Sequence, residues 1–227
     1  AHNRRKLEMW YWCGVFGELY GSANEGRYVN DVVGMIEWIS NDDALPDTVL
    51  RSNFHASRLQ QLYTRNSAAY KGVMALILKA GAKDFLKGTD MSHATYTLEY
   101  TDIHHIFPQH YCEKKGIDRV RWNSVINKTP IYARTNRIIG GYAPSQYLSS
   151  LERNHAADPV QLNESLASHQ IDVNAIRVDD FDTYYSKRQQ ALLDLIEKAT
   201  GKEVSGREEP QAAMSQYDIA EMETNEE

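Results

Sequence analysis

Helical spacing runs through most of this chain and gives way at one place, the stretch TYTLEYTDIHHIFP ending at Pro108. Thr, Tyr and Ile crowd there, apolar and polar residues partly alternate, and a proline that cannot continue a hydrogen-bonded ladder closes the run. A strand entering His104 and His105 is therefore predicted. WNSVINKTPI reads as a second short extended segment, and YARTNRII as a helix opening with Gly140-Gly141 as its stop. Strand, loop, strand and helix then follow one another within about 45 residues, which suits usual element lengths.

Around that unit the pattern predicts helices. Val29, Val32, Val33, Ile36 and Ile39 recur at helical spacing, as do Tyr70, Val73, Met74, Ile77 and Leu78, and both stripes read as core faces. Pro144 suits the first turn of a further helix with Ser145 available to cap it, and DPVQLNESLASH is another short one. The last helix carries Phe181, Tyr184, Tyr185, Arg188, Leu192, Leu195 and Ala199 on one side, with Asp179 or Asp180 as its cap. The expected fold is mainly α with a small ββα unit, an α+β arrangement. Its divisions are a helical region over 1–90, the ββα core over 91–152, helices packing on the same domain over 153–200, and a tail over 201–227.

At 227 residues and 42% hydrophobic content the chain can bury a core of its own. No run approaches the roughly 18 apolar residues of a membrane span. Cys13 and Cys112 are too few for a disulfide framework, and no signal-peptide pattern opens the chain, so a cytoplasmic setting is expected. The start AHNRRKLEMWYW lacks Met and already reads as helix, as a piece of a longer polypeptide would. The net charge of −6 lies wholly in residues 201–227, an acidic segment with the composition of a disordered tail. Within the otherwise balanced body, Lys114, Lys115, Arg119, Arg121, Lys128, Arg134 and Arg137 stand against Asp118 alone. That run is either a solvated face or a surface for backbone phosphates.

Cleaving a phosphodiester needs a base that deprotonates water near neutral pH, a cation to stabilise charge on the phosphate, and positive charge to hold the substrate. Histidine, with an ordinary pKa of about 6.5, is a natural base. Adjacent strand residues point to opposite faces, so His104 and His105 share one site only where the strand ends or distorts. Taken alone, His105 could equally be a core histidine bonded to a carbonyl, and Asn127 a turn residue. His110 and Cys112 near His104 invite a zinc reading, but a structural zinc wants four ligands. No phosphate loop of the G-x-x-x-x-G-K type is present. Trp10, Trp12, Trp38 and Trp122 read as core, with Trp122 the one placed to stack on a base.

DIHHIFP, then Asn127 in VINKTPI, then Asn136-Arg137 in ARTNR, resemble the HNH nuclease or ββα-metal motif, with 22 residues from His105 to Asn127 and 9 more to Asn136. The register is similar to that of the HNH domain of RNA-guided CRISPR nucleases. MWYWCGVFGELYGSANEGRYVNDV, SAAYKGVMALILKAGAKDFLKG and DDFDTYYSKRQQALL resemble the C-terminal half of GmrSD-type restriction proteins, from about Leu7 to Thr200. The resemblance implies a DNA endonuclease, nicking one strand at a time, in defence against phage DNA with modified bases or beside phosphorothioate modification. It also implies a partner that this chain lacks, an N-terminal sensing, nucleotide-hydrolysing domain. By the same resemblance His105 is the general base, Asn127 orients it by itself or through its backbone, and Arg137 touches a phosphate. His104 and Asn136 hold one divalent ion, Mg2+ or Mn2+, with Zn2+ the weaker candidate. His104 stands where many relatives have aspartate, which leaves the ion less neutralised and favours Mn2+ or a transition ion. Asp102 is either a partner behind the ligands or a strand-end cap. Lys114, Lys115, Arg119, Arg121, Lys128 and Arg134 are the expected DNA contacts. The alternative is a binding module for DNA or a protein partner, without turnover.

Overall fold

A computed structural model describes residues 2–21, 25–91 and 101–208. Four helices come first: α1 (His2–Phe16), α2 (Glu25–Ser40), α3 (Asp47–Arg51) and α4 (Ala68–Lys79). Strand β1 (Thr101–His105), α5 (Gln109–Lys115), α6 (Arg119–Trp122), β2 (Lys128–Tyr132) and α7 (Ala133–Ile139) follow. The chain continues through α8 (Pro144–Asn154), α9 (Pro159–Ser168), α10 (Val173–Arg177) and α11 (Phe181–Thr200). The fold is mainly helical with one two-stranded antiparallel sheet, as expected from the sequence. The predicted approach to β1 at Thr95–Tyr100 lies outside the described residues. No described helix is long and apolar enough to cross a membrane.

Helix starts are chemical. Ser67, Asp158, Asp172 and Asp180 accept the backbone N–H of Tyr70, Gln161, Ala175 and Thr183, satisfying amides that the helix itself cannot. At α8 the residue before Pro144 is Ala143, and Ser145 is not the cap. Its N–H and hydroxyl instead donate to Asp179, at 2.8 and 2.7 Å. The neighbouring aspartates thus divide: Asp180 caps α11 while Asp179 holds the start of α8.

One core runs from Trp12 and Phe16 of α1 through Tyr70, Val73 and Ile77 of α4 to Tyr184, Tyr185 and Leu192 of α11. Ile106, Phe107, Ile126 and Ile131 of the hairpin region belong to it, so the ββα unit is built into the helical body. Arg188 is fully buried on α11 and donates to the carbonyls of Ile126, Lys128 and His169. It thereby ties the last helix to the start of β2.

Two expectations are corrected. The stripe of Val29, Val32, Val33 and Ile36 is 53–65% exposed, and Ile39 is also exposed, rather than core. The opposite side of α2 is the one that packs, with Met35 and Trp38 against Cys13 and Val49. Asp31 anchors that side, accepting the hydroxyls of Tyr20 and Thr48. Residues 201–208 are not a free tail either. Lys202 donates to the carbonyls of Val49, Leu50 and Ser52, and Arg207 pairs with Asp194 and Glu197. Residues 209–227, the bulk of the expected acidic tail, lie outside the described residues.

His169 is wholly buried. Its Nδ1 accepts the Thr129 hydroxyl at 2.7 Å and its Nε2–H donates to the Lys83 carbonyl at 2.9 Å. Burial above all holds the imidazole down at about 3; the Lys83 carbonyl opposes this and the Arg188 charge adds to it. The unfolded chain protonates such a ring near pH 6.5. The contribution is therefore complete above that pH and is lost as pH falls toward 3, at about 1.4 kcal/mol per pH unit. His104, held at about 3 chiefly by burial, adds a second such slope. In urea unfolding between about pH 6 and pH 4, His169→Gln should lower the acid slope by one histidine's share; an unchanged slope would refute the assignment.

Candidate active site

β1 and β2 pair antiparallel, with Asp102 opposite Ile131, His104 opposite Thr129 and His105 opposite Lys128. Both strands are edges, which is why β2 tolerates Pro130. β1 ends at His105, and the two histidines take different partners. His104 is buried, with its ring edge-on to Tyr147 at 5.9 Å and its Nδ1 2.9 Å from Asn136 Oδ1. His105 is half-buried, with its ring edge-on to Trp122 at 5.7 Å and its Nε2 3.2 Å from Asn123 Oδ1.

Asn136 comes from α7, whose start is set by a residue far away in sequence. Asp84, fully buried, accepts the Tyr132 N–H at 3.1 Å and the Thr135 hydroxyl at 2.9 Å, as well as the N–H groups of Leu86 and Lys87. Asn136 Nδ2 in turn donates to Asp102 Oδ2 at 3.3 Å. Asp102 and His104 are two apart on β1 and so share a face. Asp102 is thus a partner of Asn136 rather than a strand-end cap.

His104 Nδ1 and Asn136 Oδ1 stand at 2.9 Å, a hydrogen-bond distance, and among the described residues no group of three or more His, Cys, Asp or Glu gathers where it could hold a metal ion. Asp102 supplies, one hydrogen bond away, the negative charge that an imidazole at 104 does not. His104 stays neutral through the physiological range, so its ring can present a lone pair. Asn136 Oδ1 can only accept, so Nδ1 carries the ring proton and the lone pair lies on Nε2, which is buried with no hydrogen-bond partner among the described residues; a cation taken at Nδ1 would displace that hydrogen bond and move the proton to Nε2. Cys112, the thiol of the zinc reading, is buried: burial pushes it up to about 12 and its Sγ–H faces the Phe107 carbonyl.

Asn127 reaches the residue after His105 through its backbone, its carbonyl accepting the Ile106 N–H at 2.9 Å. It is fully buried, its Oδ1 accepting Phe107 N–H at 2.9 Å and its Nδ2 donating to the carbonyls of Phe107 and Trp122 at 2.9 and 2.8 Å. The side chain therefore clamps the turn after the histidines to the end of α6. Asn123, the residue that does meet His105, was missed by the sequence reading. Its only local signal is its place just past α6, where asparagine is common as a cap.

The basic residues separate into two groups. Lys114 and Lys115 on α5 and Arg134 and Arg137 on α7 are exposed, with Lys115 lying over the Tyr111 ring. Arg119 is half-buried. Arg121 pairs with Asp182 at 2.7 Å and lies over Phe181 and Tyr185 at 4.9 Å from each ring, binding α6 to α11. Lys128 is buried and donates to the Tyr63 carbonyl at 2.6 Å. Lys128 is thus withdrawn from the expected DNA contacts because its aliphatic stem and ammonium are enclosed by the fold, and Arg121 is committed to α11.

No family model matches the chain, and no solved structure matches it. The chain is similar to an uncharacterized protein of Methanocaldococcus jannaschii, with 35% identity over 150 residues. That alignment takes in 64% of this chain and 25% of the archaeal protein, so the chain spans about a quarter of the length of the relative it matches.

Proposed function

We propose that the chain is a metal-dependent DNA endonuclease of the HNH type, the nuclease part of a cytoplasmic anti-phage restriction protein. The observation that carries this reading is the convergence of His104 and Asn136 at 2.9 Å across the β1–β2–α7 unit, beside a strand-terminal His105. A bound Mg2+ or Mn2+ would be held by His104 and Asn136 and would supply positive charge to the phosphate oxygens. His105 takes the proton from the attacking water. With its Nε2–H held by Asn123 Oδ1, the basic nitrogen is Nδ1. Asp102 keeps the Asn136 amide turned so that its oxygen faces His104. Arg137 and Arg134 stand on the same helix as Asn136, where exposed guanidinium groups can meet phosphates. Lys114 and Lys115 extend that surface. The expected partner is a sensing, nucleotide-hydrolysing domain, and the expected substrate is modified phage DNA.

Supercoiled plasmid incubated with the purified chain should be relaxed in Mg2+ or Mn2+ and left intact in EDTA. Asn136→Ala should lower the nicking rate by about tenfold to a hundredfold through weakened metal binding, with partial recovery at high Mn2+. A second reading, a DNA- or partner-docking module without turnover, is favoured by the imidazole at 104 in place of a carboxylate. It predicts salt-dependent DNA retention with no cutting in any divalent metal, and that outcome would overturn the enzyme.

A further inference from the structure

A cleft of about 590 Å3 opens between α1 and the first turn of α4, and none of its lining residues belongs to the β1–β2–α7 unit. Trp10, Tyr11, Tyr20 and Tyr28 form its aromatic side, and Asn66 and Lys71 line the other. Tyr20 and Tyr28 are stacked at 4.9 Å with their planes 8° apart, and Trp10 meets Tyr20 edge-on at 6.3 Å. The Tyr20 hydroxyl is held by Asp31 and Thr48, which fixes the ring in the wall. Tyr11 and Tyr28 are nonetheless 55% and 48% exposed, an uncommon outlay of aromatic surface to water.

Charge decides what such a cleft accepts. Aromatic rings alone would suit an organic cation. Glu18, the carboxylate of the lining, is engaged by Arg58 through both Nε and Nη2, at 3.2 and 2.9 Å. Lys71 is exposed, has no ion-pair partner among the described residues, and sits where the amides of the α4 start add further positive character. A planar ring carrying an anion fits; a cation does not. We infer that this cleft binds a nucleotide, its base against the Tyr and Trp rings and its phosphate at Lys71. The volume falls within the range of about 300–1,000 Å3 usual for small-ligand sites. The ligand is either a free nucleotide or one nucleotide of a single strand, and the inference does not depend on the nuclease reading.

The test uses the intact chain in EDTA, with tryptophan fluorescence as the readout. Trp10 lines the cleft, while Trp12, Trp38 and Trp122 are buried. Deoxyadenosine monophosphate, deoxyadenosine, inorganic phosphate and a short oligodeoxyadenylate are the probes. Saturable quenching is expected with the monophosphate or the oligomer, and Trp10→Phe should remove it. Tyr28→Ala should weaken binding by about tenfold, as stacking on one aromatic ring implies, and Lys71→Glu should weaken it as well; thermal unfolding should be unchanged in Lys71→Glu, whose side chain is exposed, and only slightly lowered in Tyr28→Ala, which loses the Tyr20 stack. Tighter binding of the oligomer identifies a strand as the source, and tighter binding of the monophosphate a free nucleotide. Quenching by phosphate alone as strong as by the monophosphate, affinities unaltered in both variants, or no saturable response to any probe would overturn the inference.

Discussion

His105→Ala is expected to reduce the plasmid-nicking rate by about a hundredfold to ten-thousandfold, the range over which a positioned general base contributes, while leaving the protein folded. The side chain is half-buried, and its contacts include a hydrogen bond to Asn123 and a ring edge on Trp122. Losing them should cost about 1 kcal/mol of stability, far less than the activity. Asn123→Ala tests the other half of the arrangement. It removes the acceptor that selects the ring tautomer and should slow nicking by about tenfold to a hundredfold with intact DNA binding. Single-turnover rates paired with melting temperatures separate the effects. Nicking by His105→Ala within a few-fold of the parent chain would remove His105 from the role of base.

Asn127→Ala is expected to be the most damaging substitution for stability. Its amide satisfies Phe107 N–H, Phe107 C=O and Trp122 C=O in a place fully closed to water; alanine would remove this partner from all three and leave Phe107 C=O only the weak Cys112 Sγ–H. Each orphaned buried group costs about 1–3 kcal/mol. The losses are coupled, so a total of about 3 kcal/mol or more and a fall in Tm of about 10 °C are expected. Asn127→Asp should fare little better, because a carboxylate cannot donate to two carbonyls. A loss below about 1 kcal/mol in urea unfolding would show that water or a rearranged turn replaces the amide. Activity should fall with stability here, whereas at His105 the two part.

That contrast marks what was legible in the sequence. The ββα order, the helix carrying Tyr70 to Leu78, the Pro144 start and the aspartate cap of the helix from Phe181 were all readable, because each depends on neighbours within one or two turns. His104, His105 and Asn136 were legible only as a spaced pattern, through resemblance, and their joint chemistry remains the proposal. Asn123 was missed, since its meeting with His105 depends on the path of the chain across 18 residues of sequence; the backbone of Asn127 does lie beside His105, bonded to the Ile106 N–H. Lys128 and Arg121 looked like surface cations, yet the carbonyl of Tyr63 and the rings of α11 claim them.

The sequence by itself therefore determined the kinds of element, where the helices start, and the order in which the chemistry-bearing residues occur. Capping, periodicity and proline act over a few residues and need no knowledge of the rest of the chain. Which side of α2 is covered, which histidine is buried and which cations reach solvent were decided only by the tertiary structure. Those outcomes depend on desolvation by distant partners: Asp84 against α7, Arg188 against β2, and Asp31 between Tyr20 and Thr48. A buried polar group is tolerated only where its hydrogen bonds are met, and these are met by residues that only folding brings near.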